Sequence, residues 1–215
     1  MKALKFIGLL TLVAMSNSCG LINIDHEPKF TEYILILSFQ DTSGNDLVKG
    51  IDLEEWSPSN APMEEAQAGS VNSSLFKLDI ILPEPCKDWD NEIYNTRARP
   101  GYIPAVLRPG FGYEKLDNDY YALQSTLSIP KDDCPTTKML TYKMKCPYIF
   151  GDDTVHEFVT YWDIPKNKNA RNVYGKCFRI EFEERVFTEI NCNDELAKNV
   201  YRNIVTIPLL DKDNP

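Results

Sequence analysis

Between Pro83 and Asn118 the chain gathers side chains of the kind that recognise ligands. Trp89, Tyr94, Tyr102, Phe111 and Tyr113 share this stretch with Arg97, Arg99 and Arg108. Aromatic faces stack on sugar rings or peptide side chains, and the planar arginine fork binds carboxylates through two parallel hydrogen bonds. Such residues dominate the energetics of many binding surfaces. The expected ligand-binding residues are therefore Trp89, Tyr94, Arg97, Arg99, Tyr102, Arg108 and Tyr113. The same stretch holds Pro83, Pro85, Pro100, Pro104 and Pro109, so it reads as a long irregular excursion. Loops of that length in a domain usually have a task. The competing arrangement folds the same rings back as a lid over the end of the domain.

Catalytic chemistry is harder to find. Nucleophilic catalysis needs a base beside the nucleophile. Of the two histidines, His26 stands near the N-terminus and His156 opens a strand-like pattern with no partner readable nearby. A half-exposed strand histidine is the expectation for His156, and no Gly-x-Ser-x-Gly elbow is present. Glycoside hydrolysis needs two carboxylates across a cleft. With 32 acidic residues, adjacent pairs such as Glu54-Glu55, Asp132-Asp133 and Asp152-Asp153 arise by chance. Asp88-Trp89-Asp90-Asn91-Glu92 alternates acidic oxygens, but Ile93 occupies the position where an EF-hand loop needs Gly. No catalytic residue, metal site or cofactor is expected, and the reading is non-enzymatic.

The elements that must position these residues are strands. Tyr33 to Phe39 is β-branched and aromatic and runs into Asp41-Thr42-Ser43-Gly44-Asn45-Asp46, which is turn chemistry. Phe76, Leu78, Ile80 and Leu82 recur at period two, as do Tyr121, Leu123, Ser125, Leu127 and Ile129. Leu140, Tyr142, Met144 and Cys146 repeat the pattern, and Phe158, Thr160 and Trp162 share one side. Phe178, Ile180 and Phe182 alternate with Arg179, Glu181 and Glu183, which predicts an apolar-in, charged-out strand. Val200 to Leu209 is the last strand candidate. Short helices are predicted only at Met63–Ala68 and Asp194–Asn199. Seven to nine short strands with alternating faces predict an all-β antiparallel sandwich carrying one long loop excursion.

The N-terminus supplies an address. Lys2 and Lys5 precede the apolar run Phe6 to Met15, then Ser16-Asn17-Ser18 and Cys19-Gly20. A basic start, a short greasy stretch and small residues before a cleavage point form a secretory signal peptide. Ten apolar-dominated residues make a helix of about 15 Å, roughly half a hydrocarbon core. Cys19 directly after the small residues resembles the lipobox of bacterial lipoproteins. That resemblance implies cleavage before Cys19, acylation of its thiol and new amino group, and an outer-membrane anchor facing either the periplasm or the cell surface. The expected organisation is a signal peptide over 1–18, a tether over 19–29 and a single sandwich domain over 30–215.

Charge and cysteines narrow the partners. The chain carries −9, and loss of Lys2 and Lys5 takes the remainder to about −11, which disfavours nucleic acid. Acylation of Cys19 leaves Cys86, Cys134, Cys146, Cys177 and Cys192, an odd number. One or two disulfides are expected in an oxidising compartment, with at least one thiol unpaired.

A second resemblance lies in Phe39-Gln40-Asp41-Thr42-Ser43-Gly44-Asn45-Asp46-Leu47-Val48-Lys49-Gly50-Ile51. This unit is similar to the opening hairpin of transthyretin-like and carboxypeptidase-regulatory-like immunoglobulin folds. With the lipobox, the chain resembles the β-sandwich lipoproteins abundant in Bacteroidota, which implies fold and location and assigns no catalytic residue. The functional expectation is a lipid-anchored envelope protein that binds a glycan or an envelope protein through residues 83–118. The alternatives are a structural or adhesin-type assembly subunit, and a hydrolase with an unrecognised carboxylate site.

Overall fold

Period-two alternation becomes strand throughout the part of the chain that the computed structural model describes, namely residues 30–54, 68–84, 86, 110–130, 137–166, 172–193 and 201–210. In chain order the strands are β1 (Phe30–Gln40), β2 (Ala68–Ser70), β3 (Lys77–Ile81), β4 (Gly112–Lys115), β5 (Tyr121–Pro130) and β6 (Met139–Lys145). They continue as β7 (His156–Asp163), β8 (Asn172–Tyr174), β9 (Lys176–Phe182), β10 (Arg185–Phe187), β11 (Asn191–Asn193) and β12 (Arg202–Pro208). One helical turn, α1 (Pro147–Phe150), interrupts them. Pro147 pre-sets its first turn, and Gly151 ends it in the left-handed region at φ 67°, its N–H donating to Pro147 O. The predicted helices at 63–67 and 194–199 lie outside the described residues, and Ala68 belongs to β2.

Two sheets pack face to face as a sandwich. The seven-stranded sheet runs β11-β12-β1-β5-β4-β2, with β8 also pairing β1, and the five-stranded sheet runs β10-β9-β7-β6-β3. Most pairings are antiparallel, as the alternation predicts. Strand β1 departs from this, pairing parallel with β8 at its start and with β12 along its second half. Its inward residues Tyr33, Leu35, Leu37 and Phe39 meet Leu140, Tyr142, Met144, Phe158, Trp162, Ile180 and Phe182 of the other sheet in one core. Tyr33 meets Trp162 edge-on at 5.2 Å, and Phe158 stacks on Phe182 at 4.3 Å. Gly175 lies so close beneath Trp162 that an added Cβ would stand 3.0 Å from the indole.

Thr160 and Asn203 are buried polar residues of this core with hydrogen-bond partners, whereas the buried Tyr142 hydroxyl has none among the described residues. Thr160 donates its hydroxyl to Leu140 O at 3.0 Å and accepts the Trp162 indole N–H at 2.7 Å. Asn203 is fully buried and links both sheets. Its Oδ1 accepts Cys177 N–H at 2.7 Å, while Nδ2 donates to Ile34 O at 2.9 Å and Gly175 O at 3.1 Å.

Phe178 overturns the simple alternation predicted for its strand. The register passes from Tyr161 opposite Arg179 to Trp162 opposite Cys177, leaving Phe178 as the extra residue of a bulge. Cys177 therefore turns inward and Phe178 outward, 51% exposed. Cys86 is disulfide-bonded, whereas Cys146, Cys177 and Cys192 are free. More thiols stay unpaired than the odd count demands. Burial pushes the Cys177 thiol up to about 12.

Candidate functional site

The seven-stranded sheet has a second face, and it is partly buried too. Ile36 and Ser38 point away from the core cluster, yet both are fully buried, as is Ala122 of β5. Arg202 of β12 forms an ion pair with Glu114 of β4 across the two intervening strands β1 and β5. In a flat sheet those strands would stand roughly 14 Å apart. Their side chains must therefore lie over the sheet, which curls toward them.

This curled face holds a recess of about 720 Å³. Its floor is the outward side of β12, from Arg202 through Ile204 and Thr206 to Pro208. One wall is the β4–β5 turn, with Asp117 and Asn118; the other is the β10–β11 connection, with Phe187, Glu189 and Asn191. Most of the lining side chains can form hydrogen bonds, and the half-buried Phe187 ring, Leu116, Val186, Ile204 and Pro208 supply its apolar part.

Charge in the recess is unbalanced. Its two cations are each neutralised, Lys115 by Asp119 at 2.6 Å and Arg202 by Glu114. Asp117 and Glu189 form no ion pair among the described residues. Burial raises the Glu114 carboxyl above the ordinary carboxylate value, and the Arg202 guanidinium opposes that shift without cancelling it. Among the described residues of this sheet, Glu114 Oε1 of β4 and Ser38 Oγ of β1 are buried without a hydrogen-bond partner.

The residues singled out from the sequence fare differently. Cys19, Trp89, Tyr94, Arg97, Arg99, Tyr102 and Arg108 lie outside the described residues, as does the 88–92 acidic run. Tyr113 is described, and it is a core residue of β4 rather than an exposed ring, 6% exposed and stacked on Tyr121 at 4.8 Å. Phe111 is likewise buried, against Phe76. Among the described residues of the 83–118 excursion, Lys115 to Asn118 line the recess as its β4–β5 wall. The residues missed were Arg202, Glu189 and Asn191, which carry no sequence signal because each is an ordinary polar residue of a strand or turn.

Aromatic-plus-arginine chemistry does appear elsewhere, on the outer face of the five-stranded sheet. The Arg179 guanidinium lies over the Tyr161 ring at 5.2 Å beside exposed Phe178, next to an open recess of about 590 Å³. Arg179 is already held by Glu181, so its charge is spent within the sheet.

His156 is buried, not half-exposed, and it has partners. Its Nδ1 faces Glu183 Oε1 at 3.1 Å, and its Nε2 faces Asp152 Oδ1 at 3.2 Å, with the ring stacked on Phe150. Thr154 Oγ1 stands 3.3 Å from Nε2 but donates to Asp152 Oδ1 at 2.7 Å. Both ring nitrogens thus face carboxylates of the cluster, and the Thr154 hydroxyl beside Nε2 is turned to Asp152. This cluster is built to hold a loop and a hairpin together.

Among the described residues no group of three or more His, Cys, Asp or Glu side chains is placed to hold a metal ion. No helix of the described residues is long and apolar enough to cross a membrane. The comparisons with known proteins return nothing: no family model, curated protein or solved structure matches this chain. The class defined by the fold is the all-β sandwich.

Proposed function

We propose that this protein is a lipid-anchored cell-envelope protein that binds an uncharged glycan in the recess over β12, without turning it over. One observation carries this reading: a recess of glycan-binding size is lined by amide, hydroxyl and carboxylate groups beside the Phe187 ring and a few aliphatic side chains, and among its described lining residues the charges without an ion-pair partner are the acids Asp117 and Glu189. Hydroxyl-rich ligands satisfy such acceptors and donors, and a ring face accepts the apolar side of a sugar. An anionic ligand would meet Asp117 and Glu189 without a free cation among the described lining residues to offset them. The anchor rests on Cys19 and the residues before it.

The test is a glycan array followed by calorimetry with neutral and uronic-acid-containing oligosaccharides. Neutral glycans are expected to bind, and Phe187→Ala and Asn191→Ala to weaken binding at least about tenfold. Binding that is unchanged in both variants but lost in Phe178→Ala would move the site to the outer face of the five-stranded sheet. Release of reducing ends that disappears in Glu189→Gln would make the protein a hydrolase. For the anchor, Cys19→Ser is expected to abolish incorporation of a labelled fatty acid; unchanged labelling would remove Cys19 from that role.

A further inference from the structure

Residues 75–81 read Leu-Phe-Lys-Leu-Asp-Ile-Ile, and this stretch is its own antiparallel complement. With Leu78 placed opposite Leu78 of a second copy, Lys77 meets Asp79, Phe76 meets Ile80 and Leu75 meets Ile81, each pair occurring twice. Alternation keeps both members of every pair on the same face of the sheet.

Among the described residues, the strand that carries this sequence is paired along one edge alone. β3 pairs with β6 on one side and ends the five-stranded sheet among the described residues. The Lys77 and Asp79 side chains pair loosely with each other at 3.9 Å and stay 74% and 60% exposed, so both can turn to a second copy, and Ile81 is 41% exposed. Phe76, Lys77, Leu78 and Asp79 also form one wall of a recess of about 690 Å³, whose far wall includes Ser70 and Gly112 of the other sheet.

We propose that β3 pairs antiparallel with β3 of a second copy of this chain about a two-fold axis at Leu78, joining two five-stranded sheets edge to edge. The charges choose the register. Centring the pair on Asp79 opposes two aspartates, and centring it on Lys77 opposes two lysines. A shift of the axis to between residues 78 and 79 would set inward side chains against outward ones. A lone edge lysine keeps other strands away; opposite charges two residues apart instead fit a second copy of themselves. A contact of one short strand lies below the roughly 1,000 Å² of a stable interface, so association is concentration-dependent and strengthens where copies share a membrane. The pairing is independent of the glycan reading, since β3 and the recess over β12 lie on different sheets.

Sedimentation equilibrium of the full chain over a concentration series up to about 1 mM tests it, a range that detects even weak pairing. A monomer–dimer equilibrium is expected. Lys77→Glu alone and Asp79→Lys alone should each weaken it about tenfold, because both symmetry-related pairs become like-charged. The double exchange, Lys77→Glu with Asp79→Lys, should restore it. A monomer throughout the series would overturn the proposal, as would single variants that associate like the unaltered chain or a double exchange that fails to recover.

Discussion

Glu183 Oε1 stands 3.1 Å from His156 Nδ1, and Glu183 reaches it from a backbone held at φ 48°. Glu184 follows at φ 62°, so both residues of the two-residue β9–β10 turn are left-handed. Such turns ordinarily take Asn-Gly, because side chains with a Cβ resist that conformation. The imidazole, clamped by Asp152 on its other nitrogen, is what offsets the strain at Glu183. Glu184 has no such contact in the cluster.

That asymmetry separates two substitutions at adjacent positions. Glu184→Gly should stabilise the protein by up to about 1 kcal/mol, since it relieves a left-handed backbone without losing a contact to His156. Glu183→Gly relieves the same strain but removes the carboxylate from the ring, and should give no gain or a net loss. Urea denaturation of the two variants, compared at equal slope, checks the difference; equal stabilisation by both would mean that His156 does not hold the turn.

Asn203 joins the sheets through its amide, which makes it the least replaceable polar residue of the core. Asn203→Ala removes the acceptor of Cys177 N–H and the donor to the Ile34, Gly175 and Tyr201 carbonyls and should cost about 3 kcal/mol. Asn203→Asp should cost more at neutral pH, because a carboxylate would then face the Ile34 and Gly175 carbonyl oxygens in place of a donor. Thermal denaturation of both variants is the measurement, and an aspartate variant as stable as the alanine one would contradict this assignment.

Burial raises the Glu32 carboxyl above its ordinary 4.5, while the Ser128 hydroxyl bonded to it pulls the other way. The folded state thus holds the proton more tightly than the unfolded chain. The stability this confers is complete below pH 4.5 and is lost as the pH rises through the folded value. Glu114 acts in the same direction. Glu32→Gln should therefore flatten part, though not all, of the decline in stability above about pH 4.5. Denaturation midpoints across that pH range report it, and a variant with the full slope of the unaltered chain would rule Glu32 out as a source.

Much of the sandwich was legible in the sequence. Leu140, Tyr142, Met144 and Cys146 alternate, and all four are buried on one side of β6. Phe158, Thr160 and Trp162 behave likewise in β7. The candidate site was far less legible. The aromatic run 83–118 drew attention through composition alone, and of its rings Phe111 and Tyr113 serve the core. The recess over β12 instead brings together Asp117, Glu189 and Arg202, which share no motif and no periodicity.

The division has a physical basis. Strand formation follows from side chains two residues apart meeting the same environment, so alternation by itself determined that this chain is an all-β sandwich. Only the tertiary structure decided that β1 runs parallel to β12, that one extra residue in β9 turns Phe178 outward, and that His156 finds Glu183 27 residues away. It likewise decided that Arg202 finds Glu114 88 residues away. These relationships depend on which distant strands become neighbours and how the sheet curls, and no local run of side chains records either.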